Sequence, residues 1–263
     1  MFAWLKKKSG PPSADAVMAR VIILKYLFVK FAGTPPEYFS EHSEKWTRDE
    51  RNTFFEKEQV QHKHLAERLH EAGLWNVMEQ KERKFIQMSS KEVTQQMLVD
   101  ATWSVESIVC LLWALGYIAN LPEYDQQADP DLTNALPTEL PQVLMKNAVL
   151  RPRTLVEEQR NLAELWHWRS RTRQLQDSNY NFSFPGGLTI QKVIGMAASK
   201  AATNGVIPSP IGDDFPIFGK PYRDATHEEY SQATSIAVER HRALNWLCGL
   251  APRNRWSETP TGT

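Results

Sequence analysis

Residues 162–176 read LAELWHWRSRTRQLQ and combine side chains capable of several kinds of chemistry. Two tryptophans flank His167, and arginines follow at every second position, 169, 171 and 173. A histidine beside cations can transfer protons, a row of arginines can bind nucleic acid, and inward-facing arginines can brace a helical core. The position of each side chain around a helix helps to separate these three interpretations.

Counting about 100° per residue divides this stretch into two helix faces. Trp166 and Arg169 fall in the same apolar arc, whereas His167 falls on the opposite side. We therefore predict that Trp166 and Arg169 join the core and that His167 does not. Arg169 then needs a carboxylate or carbonyl partner, because burying an unpaired guanidinium is strongly unfavourable. Arg173 lies near the helix end and is expected to reach water.

Two other helical stretches also place polar side chains against an apolar stripe. Around the sequence CLLWALG, the carboxylate of Glu106 lies just beside the stripe. In the sequence ERHRALNW, Arg240 and His241 share the inner face, Asn245 lies at its edge, and Glu239 points outward. Both helices thus bring groups that could pair with an inward-facing arginine.

Together these faces predict a polar cluster within the helical core, contributed by three helices: Glu106, Arg169, Arg240, His241 and Asn245. In the leading interpretation the cluster is a network of buried salt bridges and hydrogen bonds that fixes helix register. In the alternative it is a ligand pocket, where the arginines donate hydrogen bonds to an anion and His241 donates a proton. The sequence leaves both open.

Neither a metal nor a cofactor is expected. Carboxylate and histidine occur at helical spacing in three pairs: Glu67/His70, Glu164/His167 and Glu58/His62. The first two have the spacing found among the ligands of di-metal helical bundles, but neither is predicted to face an interior, and the third is too small a ligand set. No phosphate-binding loop, dinucleotide fingerprint or serine-nucleophile motif is present in the sequence.

The segment IPSPIGDDFPIFGKPYRD offers charged side chains outside regular structure. We expect Phe215, Phe218 and Tyr222 to anchor this long loop on the domain. The charges of Asp213 and Asp214 are expected to stay in water, although loops carry binding sites more often than cores do.

The elements that must position these residues are helices. Apolar periodicity and stop signals predict helices over 14–32, 48–72, 90–120, 154–176, 189–204 and from Thr226 to Gly249. Thr226 with Glu229 fits a capping box at the start of the last helix. Gly33, Pro35 and Pro36 are expected to end the first helix. No alternating strand pattern is found. The prediction is an all-α fold with long ordered Pro/Gly-rich loops, as a single globular helical domain over 14–263 after a loose tail over 1–13.

Composition excludes several classes of protein. The 263 residues carry 31 basic and 31 acidic side chains, and this zero net charge argues against a general nucleic-acid binder. The longest uncharged run in the most apolar helix, Ser107–Leu121, is shorter than a membrane span requires. Cys110 and Cys248 are expected to be buried reduced thiols, and the N-terminus lacks a secretory signal core. A cytoplasmic location is expected.

Several motifs resemble one family. VCLLWALGYIANLPEYDQQADP, LRPR, AELWHWRSRTRQLQ, DDFPIFGKPYRD, ERHRALNWLCG and NRWSETPT follow one another in this order. The sequence resembles an uncharacterised bacterial family, domain of unknown function 4272, from about Ala16 to Thr261. This resemblance implies a mostly helical fold and supplies no activity, cofactor or catalytic residue. The loop around FSFPGGL departs from the family pattern.

Two functions therefore remain open. The leading hypothesis is a non-enzymatic interaction or structural module with a protein partner. The alternative is an enzyme or small-anion binder that uses the inward-facing cluster.

Overall fold

The computed structural model describes residues 10–30, 47–89 and 92–263. Within these residues the fold consists of α-helices joined by ordered loops. Their bounds are α1 Ala14–Val29, α2 Arg48–Glu71, α3 Gln80–Gln87, α4 Gln95–Ala114, α5 Pro141–Asn147, α6 Arg153–Asp177, α7 Ile190–Thr203 and α8 His227–Leu247. The described strands are two residues each, Pro216–Ile217 paired antiparallel with Lys220–Pro221. The prediction of an all-α class is confirmed.

Local sequence signals set where several helices begin. The Thr226 hydroxyl accepts from the backbone N–H of Glu229, whose carboxylate accepts in return from the N–H of Thr226, as the sequence predicted. Thr47 and Glu50 make the same reciprocal arrangement at α2. These bonds satisfy N–H groups that have no partner inside the first turn.

The helical core is built around α4, α6 and α8. Helix α6 packs along α8, α8 packs on α4, and α4 packs on α1. The second half of α4, Val105–Ala114, is buried throughout. By length and composition α4 could cross a membrane, but 56% of its apolar window is buried inside the fold, which is consistent with the core helix of a soluble protein.

Three helices differ from the predicted ranges, and one of them is the short α5, which lies outside all of those ranges. Helix α4 is shorter than the predicted 90–120, because Thr94 caps its start and Gly116, at φ 83°, follows its end. Helix α3 was not predicted, since it is short and rich in charged residues and Ile86 is its one buried residue. Such a helix gives no apolar periodicity to detect.

Some predictions lie outside the described residues. They concern residues 1–9 of the tail, the stop at Gly33, Pro35 and Pro36, and the side chain of Glu58.

Aromatic side chains fix the long loops on α6. Trp166 stacks on Tyr124 with a ring-centroid distance of 5.4 Å and meets the edge of Phe215 at 5.5 Å. Phe215 and Tyr222 are buried, as the sequence predicted, and Phe218 packs against the core. The loops around Tyr124 and Phe215 therefore cover one side of α6, while α8 covers another.

Candidate functional site

Glu106 and Arg240 form a closed ion pair between α4 and α8. Arg240 Nε donates to Glu106 Oε2 at 2.8 Å, and both side chains are fully buried. The other carboxylate oxygen, Oε1, accepts from the backbone N–H of Ala128 at 2.6 Å. The carboxylate thus has a protein donor on each oxygen, which compensates for its removal from water.

The rest of the Arg240 guanidinium fastens the loop after α4. Nη2 donates to the carbonyl of Gln126 at 3.0 Å, and Nη1 donates to the carbonyls of Pro122 and Glu123. The guanidinium carbon lies 4.9 Å from the centre of the Tyr124 ring. Every nitrogen of this guanidinium is engaged by the protein. The arrangement fits the structural interpretation of this part of the cluster.

The thiol of Cys110 lies in the same buried region. Burial raises the pKa of Cys110 to about 12, and the nearby Arg240 charge opposes this only in part. A thiol in this state stays protonated at neutral pH, so Cys110 is not an activated nucleophile.

Arg169 pairs with a loop carboxylate. Its Nε and Nη2 donate to Asp214 Oδ1 and Oδ2 at 2.6 and 2.7 Å, a two-pronged pair in which both side chains are buried. Asp214 also accepts from the backbone N–H groups of Phe215 at 2.7 Å and Arg223 at 3.0 Å. The expectation that the Asp214 charge stays in water is wrong, because these four donors replace the water.

One nitrogen of Arg169 has no hydrogen-bond partner among the described residues. This nitrogen, Nη1, is buried, and the guanidinium carbon lies 4.7 Å from the centre of the Tyr222 ring. A buried guanidinium N–H without an acceptor is unfavourable by about 1–3 kcal/mol. Arg169 thus differs from Arg240, because its donors are only partly satisfied.

Arg173 also reaches this loop instead of extending to water as predicted. Its Nη1 and Nη2 donate to the carbonyls of Tyr222 and Ala225, each at 2.8 Å. Its guanidinium carbon lies 4.7 Å from the ring centre of Tyr230. The loop before α8 places these two carbonyl oxygens within reach of Arg173, so its guanidinium bonds to the protein instead of to water.

His167 faces α8 rather than solvent. Its Nδ1 lies 3.0 Å from Nδ1 of His241, and both side chains are buried. The expectation that His167 stays out of the core is wrong. Counting faces assumed one buried side of α6, whereas this helix is covered on two sides.

Three polar contacts run along the facing sides of α6 and α8, and we call them the α6–α8 seam. They join Arg160 Nε to Asn245 Oδ1 at 2.9 Å, His167 to His241, and the Ser170 hydroxyl to the Thr234 hydroxyl at 2.7 Å. Positions rise along α6 while they fall along α8, so the helices are antiparallel and the contacts fix their register.

Hydrogen-bond chemistry assigns the protons within this seam. Asn245 Nδ2 donates to the carbonyl of Pro260 at 2.8 Å, and Asn245 Oδ1 accepts from Arg160, so the orientation of the amide is fixed. Nδ2 then donates to His241 Nε2 at 2.9 Å. A neutral His241 consequently carries its proton on Nδ1 and donates it to Nδ1 of His167. A proton added to either acceptor nitrogen would break one bond of this chain.

The electrostatic surroundings favour these neutral rings. Burial is the main cause that lowers the pKa of His241 to about 4, and the neighbouring His167 and Arg160 contribute to this shift. Burial and Arg171 also lower the pKa of His167. At neutral pH the His241 proton is held within the seam.

Glu239 is another polar residue that packs inward. It was predicted to point outward, but its carboxylate accepts from the Ser107 hydroxyl at 2.9 Å and from Arg242 at 2.6 Å. Burial raises the pKa of the Glu239 carboxyl. Helix α4 covers this side of α8 as well as the apolar side.

The five residues of the predicted cluster thus fall into three groups. Glu106 pairs with Arg240, Arg169 pairs with Asp214, and His241 contacts Asn245. Among the described residues, no hydrogen bond or ion pair joins one group to another. The predicted common pocket is therefore not a single contact network.

An open cleft of about 590 Å³ lies between α7 and the loop before α8, and we call it the α7 cleft. Its lining includes Arg169, Lys192, Gly195, Met196, Asp213 and Arg223. Of the five predicted site residues, Arg169 is the one that borders this cleft. Lys192, Asp213 and Arg223 are exposed.

Most of the α7 cleft was not predicted from the sequence, although Arg169 was. Lys192 and Met196 lie one helical turn apart, which a search for exposed faces could have found. Their position opposite Arg223 depends on loop folding, and no local pattern encodes it.

No metal centre is found in the described part of the chain, where no three side chains of His, Cys, Asp or Glu could hold an ion together. Glu67 contacts His64, His70 stacks on Trp75, and Glu164 pairs with Arg160. These carboxylate and histidine side chains have other partners.

Comparison with known proteins gives a family and no activity. The model of the family described as Domain of unknown function (DUF4272) matches residues 6–194, most of the chain. The match includes LRPR and AELWHWRSRTRQLQ and ends before ERHRALNWLCG. No curated protein and no solved structure matches the chain.

Proposed function

The chain belongs to the DUF4272 family, and from this premise we propose that it is a non-enzymatic binding module that holds a small anion in the α7 cleft. The observation that carries the proposal concerns Arg169, a residue that borders this cleft. Its buried Nη1 has no acceptor among the described residues. An anionic oxygen is the acceptor that a guanidinium N–H binds most strongly.

The charges around the cleft support an anion over a cation. The Arg169 charge is balanced by Asp214 in their buried pair. Among the described residues of the lining, Lys192 and Arg223 then outnumber the one remaining carboxylate, Asp213. Arg223 also lies 4.0 Å from the carboxylate of Asp224, but this pair is exposed and weak. Within the lining one positive charge is in excess, and the two exposed cations can attract an anion before it reaches Arg169.

The remaining polar groups support a binding module over an enzyme. Arg240 and Glu106 are closed off and satisfied by the protein, and the His241 proton is engaged by His167. A catalytic acid or base must reach the substrate proton within hydrogen-bond distance. In this proposal the networks hold the helices, and the α7 cleft holds the ligand.

The proposal includes a location and a source. Two free cysteines and the burial of α4 support a cytoplasmic protein. The motif resemblance supports a bacterial source.

Titration of the purified chain with inorganic phosphate and with acetate, followed by NMR, tests the proposal. We expect saturable shifts of amides in α7 and in the loop 211–224, with millimolar dissociation constants. Lys192→Ala and Arg223→Ala should each weaken binding about tenfold. Lys200→Ala is the matched control, because Lys200 is an exposed cation of α7 outside the cleft lining.

Three results would overturn this function. They are the absence of saturable shifts with both anions, equal effects of Lys192→Ala and Lys200→Ala, or shifts that map to another surface. A protein-interaction module without an anion site would give the first result.

A further inference from the structure

Helix α7 presents its cleft residues in a row. Lys192, Met196 and Ser199 border the cleft and are spaced by four and three residues. Residues at these spacings lie on one face of a helix, about one turn apart. Along the cleft, the ammonium group of Lys192 is therefore followed by the apolar side chain of Met196 and then by the hydroxyl of Ser199.

Met196 is unusually exposed for an apolar residue. Its relative exposure is 63%, whereas its neighbour Ile194, which also borders the cleft, is buried at 3%. Methionine has a flexible and polarisable side chain that adapts to irregular apolar surfaces. The middle of the cleft thus offers an apolar wall that a ligand can cover.

Gly195 brings this wall close to the opposite loop. A Cβ atom built at Gly195 would lie 3.4 Å from the backbone oxygen of Asp213. A methyl group at this position would already be in van der Waals contact with the loop, so the gap between the helix and the loop is small here. The cleft is therefore narrow beside Met196, which suits a slender ligand.

The chemistry of the lining excludes a nucleotide-like ligand. No aromatic side chain of the described residues borders the α7 cleft, so a base finds no ring there to stack on. Lys192 and Arg223 exceed Asp213 by one charge, which suits one anionic group better than a polyphosphate. The lining therefore fits a ligand with a single anionic head group and a slender apolar chain.

We propose that the ligand of the α7 cleft is a monoanion with an unbranched apolar chain, such as a short-chain carboxylate. Its head group binds Arg169 together with Lys192 and Arg223, and its chain covers Met196. This inference rests on the proposed function, because it assigns the ligand class of the same cleft.

Titration with acetate, butanoate, hexanoate and octanoate at constant ionic strength tests the inference. We expect binding to tighten by about two- to fourfold for each added methylene, since the burial of one methylene contributes up to about 0.8 kcal/mol. All four should give saturable shifts of the same α7 amides.

Met196→Gln is the decisive variant, because it keeps the length of the side chain and removes its apolar character. We expect it to flatten the dependence of affinity on chain length. Val149→Gln is the matched control, since Val149 is 73% exposed and lies outside the cleft lining.

The failure of this inference differs from the failure of the proposed function. If acetate and phosphate bind at the cleft but longer chains bind no tighter, the ligand class is wrong and the anion site stands. If neither small anion binds, the proposed function fails and this inference fails with it. A dependence on chain length that survives Met196→Gln overturns the assignment of the chain to Met196.

Discussion

Nδ1 of His167 and Nδ1 of His241 lie 3.0 Å apart between α6 and α8, at the distance of one hydrogen bond. The amide of Asn245, held by Arg160 and by the carbonyl of Pro260, determines which ring donates. Each acceptor nitrogen already receives a hydrogen bond from its neighbour. A charged histidine, which has an N–H on both ring nitrogens, therefore does not fit this chain of bonds. The seam therefore couples helix packing to the protonation of the two rings.

Acidification should destabilise the fold through His241. Its pKa is about 4 in the folded chain against an ordinary value of 6.5, so the unfolded chain binds more protons between these values. The contribution is constant above pH 6.5, and stability is lost as the pH falls from 6.5 towards 4. By pH 5 the loss should reach roughly 2 kcal/mol, measured as the free energy of unfolding in urea at each pH.

The variant His241→Gln isolates this effect, because glutamine can both donate and accept and does not titrate. We expect a flatter dependence of unfolding free energy on pH between 6.5 and 4. His227→Gln, an exposed histidine at the start of α8, should leave the wild-type dependence unchanged. Equal pH dependence in wild type and His241→Gln would contradict the neutral seam.

Removal of the Glu106 charge should destabilise the protein strongly. Glu106→Gln leaves the Arg240 guanidinium charged and fully buried without a carboxylate, and the expected loss is about 3–5 kcal/mol of unfolding free energy. The control is Glu157→Gln, which breaks the exposed Arg153–Glu157 pair. Its loss should stay below about 1 kcal/mol. Similar urea midpoints for the two variants would disprove the structural role of the buried pair.

The local parts of this fold could be predicted from the sequence. The capping bonds join Thr226 and Glu229, which are three residues apart, so the sequence pattern was sufficient to predict them. Helix α3 could not be predicted from periodicity, because its only buried side chain is Ile86. Where a helix has one buried face, apolar spacing predicts which side chains are inside.

The candidate site was less predictable, because it depends on contacts between distant segments. His167 was placed outside because it falls opposite the apolar arc of α6, yet that face packs on a polar face of α8. Asp214 lies in a loop, where no periodicity indicates burial, and is 45 residues from its partner Arg169. The requirement of Arg169 for a partner was derivable from desolvation, but its identity was not.

Trp166 should contribute more to stability than Trp168, although they lie two residues apart. Trp166 is buried between Tyr124 and Phe215, whereas Trp168 is half-buried at 6.2 Å from Phe215. Trp166→Ala should lower the unfolding free energy by about 3–5 kcal/mol, as expected for truncation of a buried aromatic residue. Trp168→Ala should have the smaller effect in the same urea titration. The reverse order would show that the loops are not anchored through Trp166.

An added anion should partly replace the Asp214 carboxylate. Asp214→Ala leaves Arg169 buried and without its carboxylate, and we expect a loss of about 3–5 kcal/mol of unfolding free energy. Formate or acetate should restore more stability to this variant than to wild type, while chloride at equal ionic strength should not, because a carboxylate can accept two parallel bonds from Arg169. The control is Asp100→Ala, because Asp100 is an exposed aspartate of α4 outside the cleft lining; this variant should lose little stability and show no added response to acetate. If acetate fails to stabilise Asp214→Ala beyond wild type, an anion cannot reach the Arg169 guanidinium from the α7 cleft.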